Sequence, residues 1–170
     1  MKIARLFLGL LVGWVSMAAW AESPDIPLKT LEGKTRNVSE FIGHGKWTVV
    51  VVWAHDCHIC GSEIHEMTDF HQAHQAKDAV VLGVTIDGYD QVKEARQFVE
   101  KHKLPFVNLI AEPSQDVLMK FGGGQFVGTP TYYVYNPKGE IVGRNIGPVS
   151  RQEVETFMTT PDQPVDASKS

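Results

Sequence analysis

The stretch Trp53-Ala54-His55-Asp56-Cys57-His58-Ile59-Cys60 follows an unbroken apolar and β-branched run, Trp47-Thr48-Val49-Val50-Val51-Val52. That run reads as a strand buried on both faces, because a half-buried strand would alternate polar with apolar residues. The residues after it place Ile64, Met67 and His71 on one stripe, with Phe70 alongside, as in an amphipathic helix. Cys57 and Cys60 therefore sit where a buried strand turns into a helix. Unpaired N–H groups and the positive end of the helix dipole stabilise a thiolate there, so the first cysteine is a nucleophile near neutral pH. Two intervening residues let the second sulfur reach the first within one helical turn.

The chain has only 2 cysteines. Lys2 and Arg5, the apolar run Leu6–Val15 and the Ala19-Trp20-Ala21 triplet read as a secretory signal peptide over residues 1–21, cleaved after Ala21. An uncleaved anchor is the alternative, although the run is short of the ~20 residues a spanning helix needs. In an exported protein two cysteines usually form an inert staple. A bridge across so short a loop removes little unfolded-state entropy, which favours a redox role.

The 170 residues suffice for one domain with a substantial core, expected over residues 22–160. Residues 161–170, rich in Pro, Asp, Ser and Lys, read as a disordered tail. A net charge of −4 argues against a nucleic-acid partner. Glu22–Pro27 reads as a mobile start, and Leu28–Val38 as a hairpin around Glu32-Gly33-Lys34. Further strands are expected at Ala79–Thr85, Thr131–Tyr135 and Glu140–Ile146, the last two joined by the Asn136–Gly139 turn. Helices are expected over Gln91–Lys103, from Pro113 as first helical residue to Gly122, and after the capping box Ser150–Glu153. Phe106–Ile110 is a short apolar segment and Gly122-Gly123-Gly124 a flexible patch. Parallel strands joined by helices and ending in an antiparallel hairpin give an α/β fold of three layers.

Strand, Cys-x-x-Cys, βαβ and then Gly128-Thr129-Pro130-Thr131 before a strand together resemble the thioredoxin superfamily. The chain is most similar to its exported TlpA, ResA and DsbE-like group, with Trp53-Ala54 ahead of the motif and Glu63 at the position of a Cys-x-x-Cys-x-x-Glu signature. The resemblance implies a thioredoxin fold, a central mixed sheet flanked by helices with a short N-terminal hairpin extension. It implies Cys57 as attacking and Cys60 as resolving thiol of a redox-active disulfide, and Glu63 as an acid beneath it. It also implies Pro130 as a cis-proline, leaving Thr129 backbone groups to pair with a bound peptide. Asp56, His58 and Ile59 depart from the group's usual residues. His58 beside the Cys57 thiolate favours the reduced form and a more oxidising protein, and Asp56 opposes it. Trp53 packs under the motif.

The function expected is that of a periplasmic enzyme reducing substrate disulfides, with disulfide-bearing periplasmic proteins as substrates and a membrane or periplasmic thiol partner re-reducing it. No cofactor is called for, and a monomer is expected. The competitor within the fold is a disulfide-forming oxidant or isomerase. Oxidants of the DsbA type carry an inserted helical domain, whereas about twenty residues separate Thr85 from Phe106, enough for one helix. Isomerases carry a dimerisation domain ahead of the fold, for which the N-terminal arm is short. A copper- or zinc-binding module is the reading from another class, since His55, His58, His65, His71 and His74 crowd the motif. Copper-delivery proteins of this fold place three residues between the cysteines and a histidine far downstream. Here the gap is two and no histidine follows His102, so no metal site is expected.

Overall fold

Alternation of side chains along a strand means that a doubly covered strand must offer apolar groups to both faces. The Trp47–Trp53 strand does this in the computed structural model, which describes residues 23–160. Val49, Val51 and Trp53 face one apolar cluster and Val50 and Val52 the other, all fully buried. This strand, β3, is an interior strand of a seven-stranded sheet of order β2-β1-β5-β4-β3-β6-β7. Here β1 is Pro27–Thr30, β2 Thr35–Asn37, β4 Ala79–Thr85, β5 Val107–Ile110, β6 Thr131–Tyr135 and β7 Ile141–Ile146. β3, β4 and β5 run parallel, and β6, β7 and the β1–β2 hairpin are antiparallel to their neighbours.

Helix α1 (His58–His74) lays Cys60, Ile64, Met67 and Phe70 on the Val49–Val51–Trp53 face. Helices α2 (Val92–His102) and α4 (Arg151–Thr159) cover the same face with Ala95, Phe98 and Val154. Helix α3 (Gln115–Met119) and the short 3-10 turn Val38–Phe41 cover the other, through Leu118, Phe121, Val38 and Ile42. The sheet is thus the middle layer of three. The Ser150–Glu153 capping box starts α4, and Val149 packs against the cluster that holds Val154.

Three expectations are corrected and one, that for Phe106–Ile110, is made more specific. The start of the chain is not a free arm: Ile26 is buried, its carbonyl accepts Val38 N–H, and its N–H donates to the Asn37 side chain. The Phe106–Ile110 segment contains a full member of the sheet, and the hairpin extends that sheet by pairing β1 with β5. Pro113 precedes α3 rather than opening it, since Ser114 is the N-cap. The glycine patch is fixed: all three glycines have positive φ, and Arg144 donates to the Gly123 and Gln125 carbonyls at 2.6 Å each. The signal peptide and the tail lie outside the described residues.

Candidate active site

Cys57 ends the turn after β3 and is the N-cap of α1. Its N–H donates to Ala54 O at 3.2 Å, and its carbonyl accepts Gly61 N–H at 3.1 Å. The Cys57 sulfur accepts Cys60 N–H at 3.1 Å, and the two cysteines form a disulfide with Cα atoms 5.2 Å apart. Cys57 is half-buried and Cys60 buried, so the first is the more accessible of the two. No acidic residue occupies the first turn of α1, so nothing there competes with a thiolate for the helix N-terminus.

His58, the first residue of α1, is exposed, as are Asp56 and Ile59. Glu63 is half-buried, one turn beyond Cys60. The Tyr132 phenol is pushed well above its ordinary value, chiefly by burial and then by the charges of Glu63 and Glu66. Trp53 is fully buried beneath the turn, stacked on Phe98 at 4.4 Å, with Nε1–H donating to Asn108 Oδ1 at 3.1 Å. The His102 ring lies tilted against Phe98, centroids 4.4 Å apart, and 3.5 Å from where a Cβ on Gly61 would stand.

The loop before β6 leads into Thr131, which stands opposite Val52 of β3 in the sheet. The Thr129–Pro130 peptide bond is cis. Pro130 is buried, Gly128 and Thr129 are half-buried, and Val127 is 71% exposed. Pro130 O accepts Gly147 N–H and Gly128 O accepts the Thr131 hydroxyl, whereas the Thr129 backbone makes no hydrogen bond among the described residues.

The histidines seen in the sequence do not converge. His71 is buried, and its Nδ1 accepts Val81 N–H at 3.0 Å. His74 bridges Asp78 and Glu155, and His65 Nδ1 bonds Ser62 O. Among the described residues, His55, Asp56 and Asp87 bring potential ligand atoms within 4.8 Å of one another, but the Asp87 carboxylate is already occupied by hydrogen bonds.

Three supporting residues escape the sequence reading. Asn108 holds Trp53; Asp87 grips His55; Glu66 accepts Arg151 N–H at 2.7 Å and so caps α4 from α1. Asp87 follows the carboxyl end of a buried strand, where open α/β sheets place their sites, and that was the available signal.

Comparison with known proteins agrees with this geometry. The AhpC/TSA family matches residues 21–144. Sporulation thiol-disulfide oxidoreductase A of Bacillus subtilis (strain 168) is 25% identical over 164 residues, covering 92% of this chain and 94% of that one. Among solved structures, MTB dsbF in its mixed oxidized and reduced forms superposes with a TM-score of 0.66 at 26% identity, covering 81% and 96% of the two chains. A thioredoxin family thiol:disulfide interchange protein from Chlorobium tepidum TLS gives 0.69 at 21%, covering 82% and 94%, and shares the thioredoxin-like fold.

Proposed function

The chain belongs to the AhpC/TSA family and is a thiol-disulfide oxidoreductase, and we propose that it works in the periplasm as a reductant of protein disulfides, with Cys57 attacking and Cys60 resolving. The observation that carries this reading is the asymmetry of the pair. One sulfur is accessible at a helix N-terminus and the other buried behind it.

In the reduced enzyme the Cys57 thiolate attacks one sulfur of a substrate disulfide. A Cys57–substrate bond forms, the substrate bond breaks, and the departing sulfur takes a proton. Cys60 then loses its proton and attacks the Cys57 sulfur, which closes the Cys57–Cys60 bridge and releases the second substrate thiol. Two electrons pass from enzyme to substrate, and a partner dithiol returns them. Glu63, one turn past Cys60, accepts the Cys60 proton. The unpaired Thr129 backbone groups receive the extended substrate segment, and Val127, two residues before, is exposed. His58 and Asp56 at the mouth tune the thiolate in opposite senses, and Trp53 acts through packing.

The reductive direction is supported by the link from Thr85 to Val107. It holds one helix, α2, and one short 3-10 turn, with no inserted helical domain. No helix among the described residues is long and apolar enough to cross a membrane. Export rests on the Ala-x-Ala signal and predicts an exported form beginning at Glu22 by intact mass.

The deciding experiment is equilibration of the Cys57–Cys60 pair with thiol redox buffers. A potential near the ~−270 mV of thioredoxin supports a reductant, whereas one near the ~−120 mV of DsbA makes the protein an oxidant, as His58 would favour. In parallel, Cys60→Ser is expected to accumulate mixed disulfides and Cys57→Ser to abolish turnover. Equal turnover in either variant removes the assignment.

A further inference from the structure

We propose that Asp87, acting through His55, is the positioning residue of the redox turn, holding residues 54–57 in one geometry whether or not the disulfide is closed. The proposal rests on Cys57 being the attacking sulfur. Its basis is the convergence of donors on one carboxylate whose side chain is only 3% exposed. His55 N–H donates to both Asp87 oxygens, at 3.0 and 3.2 Å, and His55 Nδ1 donates to Oδ1 at 2.8 Å. The Thr85 hydroxyl donates to Oδ2. An ionised carboxylate only accepts, so the ring proton facing it sits on Nδ1.

Asp87 is itself fixed. Ile86 N–H bonds Trp53 O, and Gly88 N–H bonds Ala111 O, so the loop after β4 is tied to the ends of β3 and β5. The carboxylate therefore joins the rigid upper edge of the sheet to the residue two before Cys57. Opening the S–S bond adds two electrons and two protons and removes the covalent tie between residues 57 and 60. What then keeps the sulfur at the head of α1 is non-covalent: Cys57 N–H on Ala54 O, and Gly61 N–H on Cys57 O. Both depend on where the chain enters the turn, which Asp87 sets.

A clamp and a mere nearby charge act on Cys57 with opposite sign. Neutralising a carboxylate beside a thiolate relieves repulsion and raises the thiolate fraction. Releasing the turn withdraws the N–H groups that stabilise the thiolate and lowers it. Asp56 supplies the comparison, because it lies beside the pair, is exposed and makes no side-chain hydrogen bond among the described residues.

The test is the rate of Cys57 alkylation by iodoacetamide against pH in the pre-reduced protein, with the melting temperature of the oxidised form reporting folding. Asp87→Asn and His55→Ala are expected to slow alkylation at pH 7 about tenfold and to move its midpoint upward, as expected for losing charge-assisted hydrogen bonds. Thr85→Val moves it the same way by less. His55→Asn, whose amide nitrogen reaches the place of Nδ1, restores most of the rate lost in His55→Ala. Asp56→Asn raises the rate. An unchanged or faster rate in folded Asp87→Asn, or an equal fall in Asp56→Asn, overturns the clamp. Should Asp87→Asn fail to fold, Thr85→Val and the two His55 variants decide by the same criteria. A wild-type Cys57 that resists alkylation at neutral pH overturns the site assignment itself, whereas normal wild-type reactivity with flat variants overturns only the clamp.

Discussion

A sulfur stands at the head of α1 where helices usually carry a hydroxyl or carboxylate cap. Cys57 Sγ takes the Cys60 N–H that an N-cap oxygen would take, so the group that caps the helix is also the group expected to react. Cys60 has the opposite problem: it is buried, and burial raises a thiol's pKa, so it needs a base to resolve a mixed disulfide. Glu63 is the candidate by position. Glu63→Gln is expected to slow resolution by about a hundredfold, the lower end for general-base losses. Release of thionitrobenzoate from a Cys57-linked mixed disulfide, followed against pH, measures it. A wild-type rate–pH profile in the variant would remove Glu63 from the mechanism. Glu63 stood out in the sequence because it completes a motif of the family the chain resembles, whereas Asp87 did not. In a sequence, an Asp-Gly after a strand reads as a surface turn, and only the fold reveals that the carboxylate turns inward to His55 and Thr85.

At the level of elements, the floor of the site is set by a register match between β4 and β5. Gly83 pairs with Asn108, and a Cβ on Gly83 would stand 1.9 Å from Asn108 Oδ1, the atom that receives Trp53 Nε1–H. The glycine is therefore the space in which the Trp53 partner lies. Gly83→Ala is expected to destabilise the oxidised protein by about 1–3 kcal/mol through overpacking. Asn108→Ala should cost about as much, by leaving the indole N–H unpaired. The double variant should cost less than the sum, because without the Asn108 side chain the added methyl has room. Urea unfolding of the four proteins measures the cycle, and strict additivity would separate the two residues. The strands other than β5 were legible from their apolar and alternating runs, α2 from its apolar stripe, α4 from the Ser150–Glu153 capping box, and α1 from its place behind the Cys-x-x-Cys turn. β5 was read only as an apolar segment, since four residues are too few to show a period. The order of the glycine patch depends on Arg144, distant in sequence, and no local pattern announces such a tie.

Across the whole molecule, α1 runs from the redox turn to a buried histidine near its other end. His71, near the distal end, is buried with Nδ1 already accepting Val81 N–H. Burial holds its pKa below the ordinary 6.5, with the Lys46 charge acting in the same direction and the Gln75 hydrogen bond against it. Burial likewise lowers His102, behind Phe98. A depressed folded-state pKa means that the unfolded chain binds a proton which the native protein refuses. The resulting stability is fully present above about pH 6.5 and is lost as pH falls below it, until the native histidines also protonate. Each withheld proton contributes at most about 1.4 kcal/mol per pH unit. The carboxylates with lowered values, Glu153 and Glu155 among them, lose their contribution only below the ordinary 4.5, so the interval from 6.5 down to 4.5 isolates the histidines. Urea midpoints of the oxidised protein should therefore decline across that interval. His71→Asn, whose side-chain oxygen can still accept Val81 N–H, should flatten the decline while leaving Cys57 alkylation at pH 7 unchanged. A decline as steep in the variant as in the wild type would place the acid sensitivity elsewhere, and a change in Cys57 reactivity would mean that the two ends of α1 are coupled.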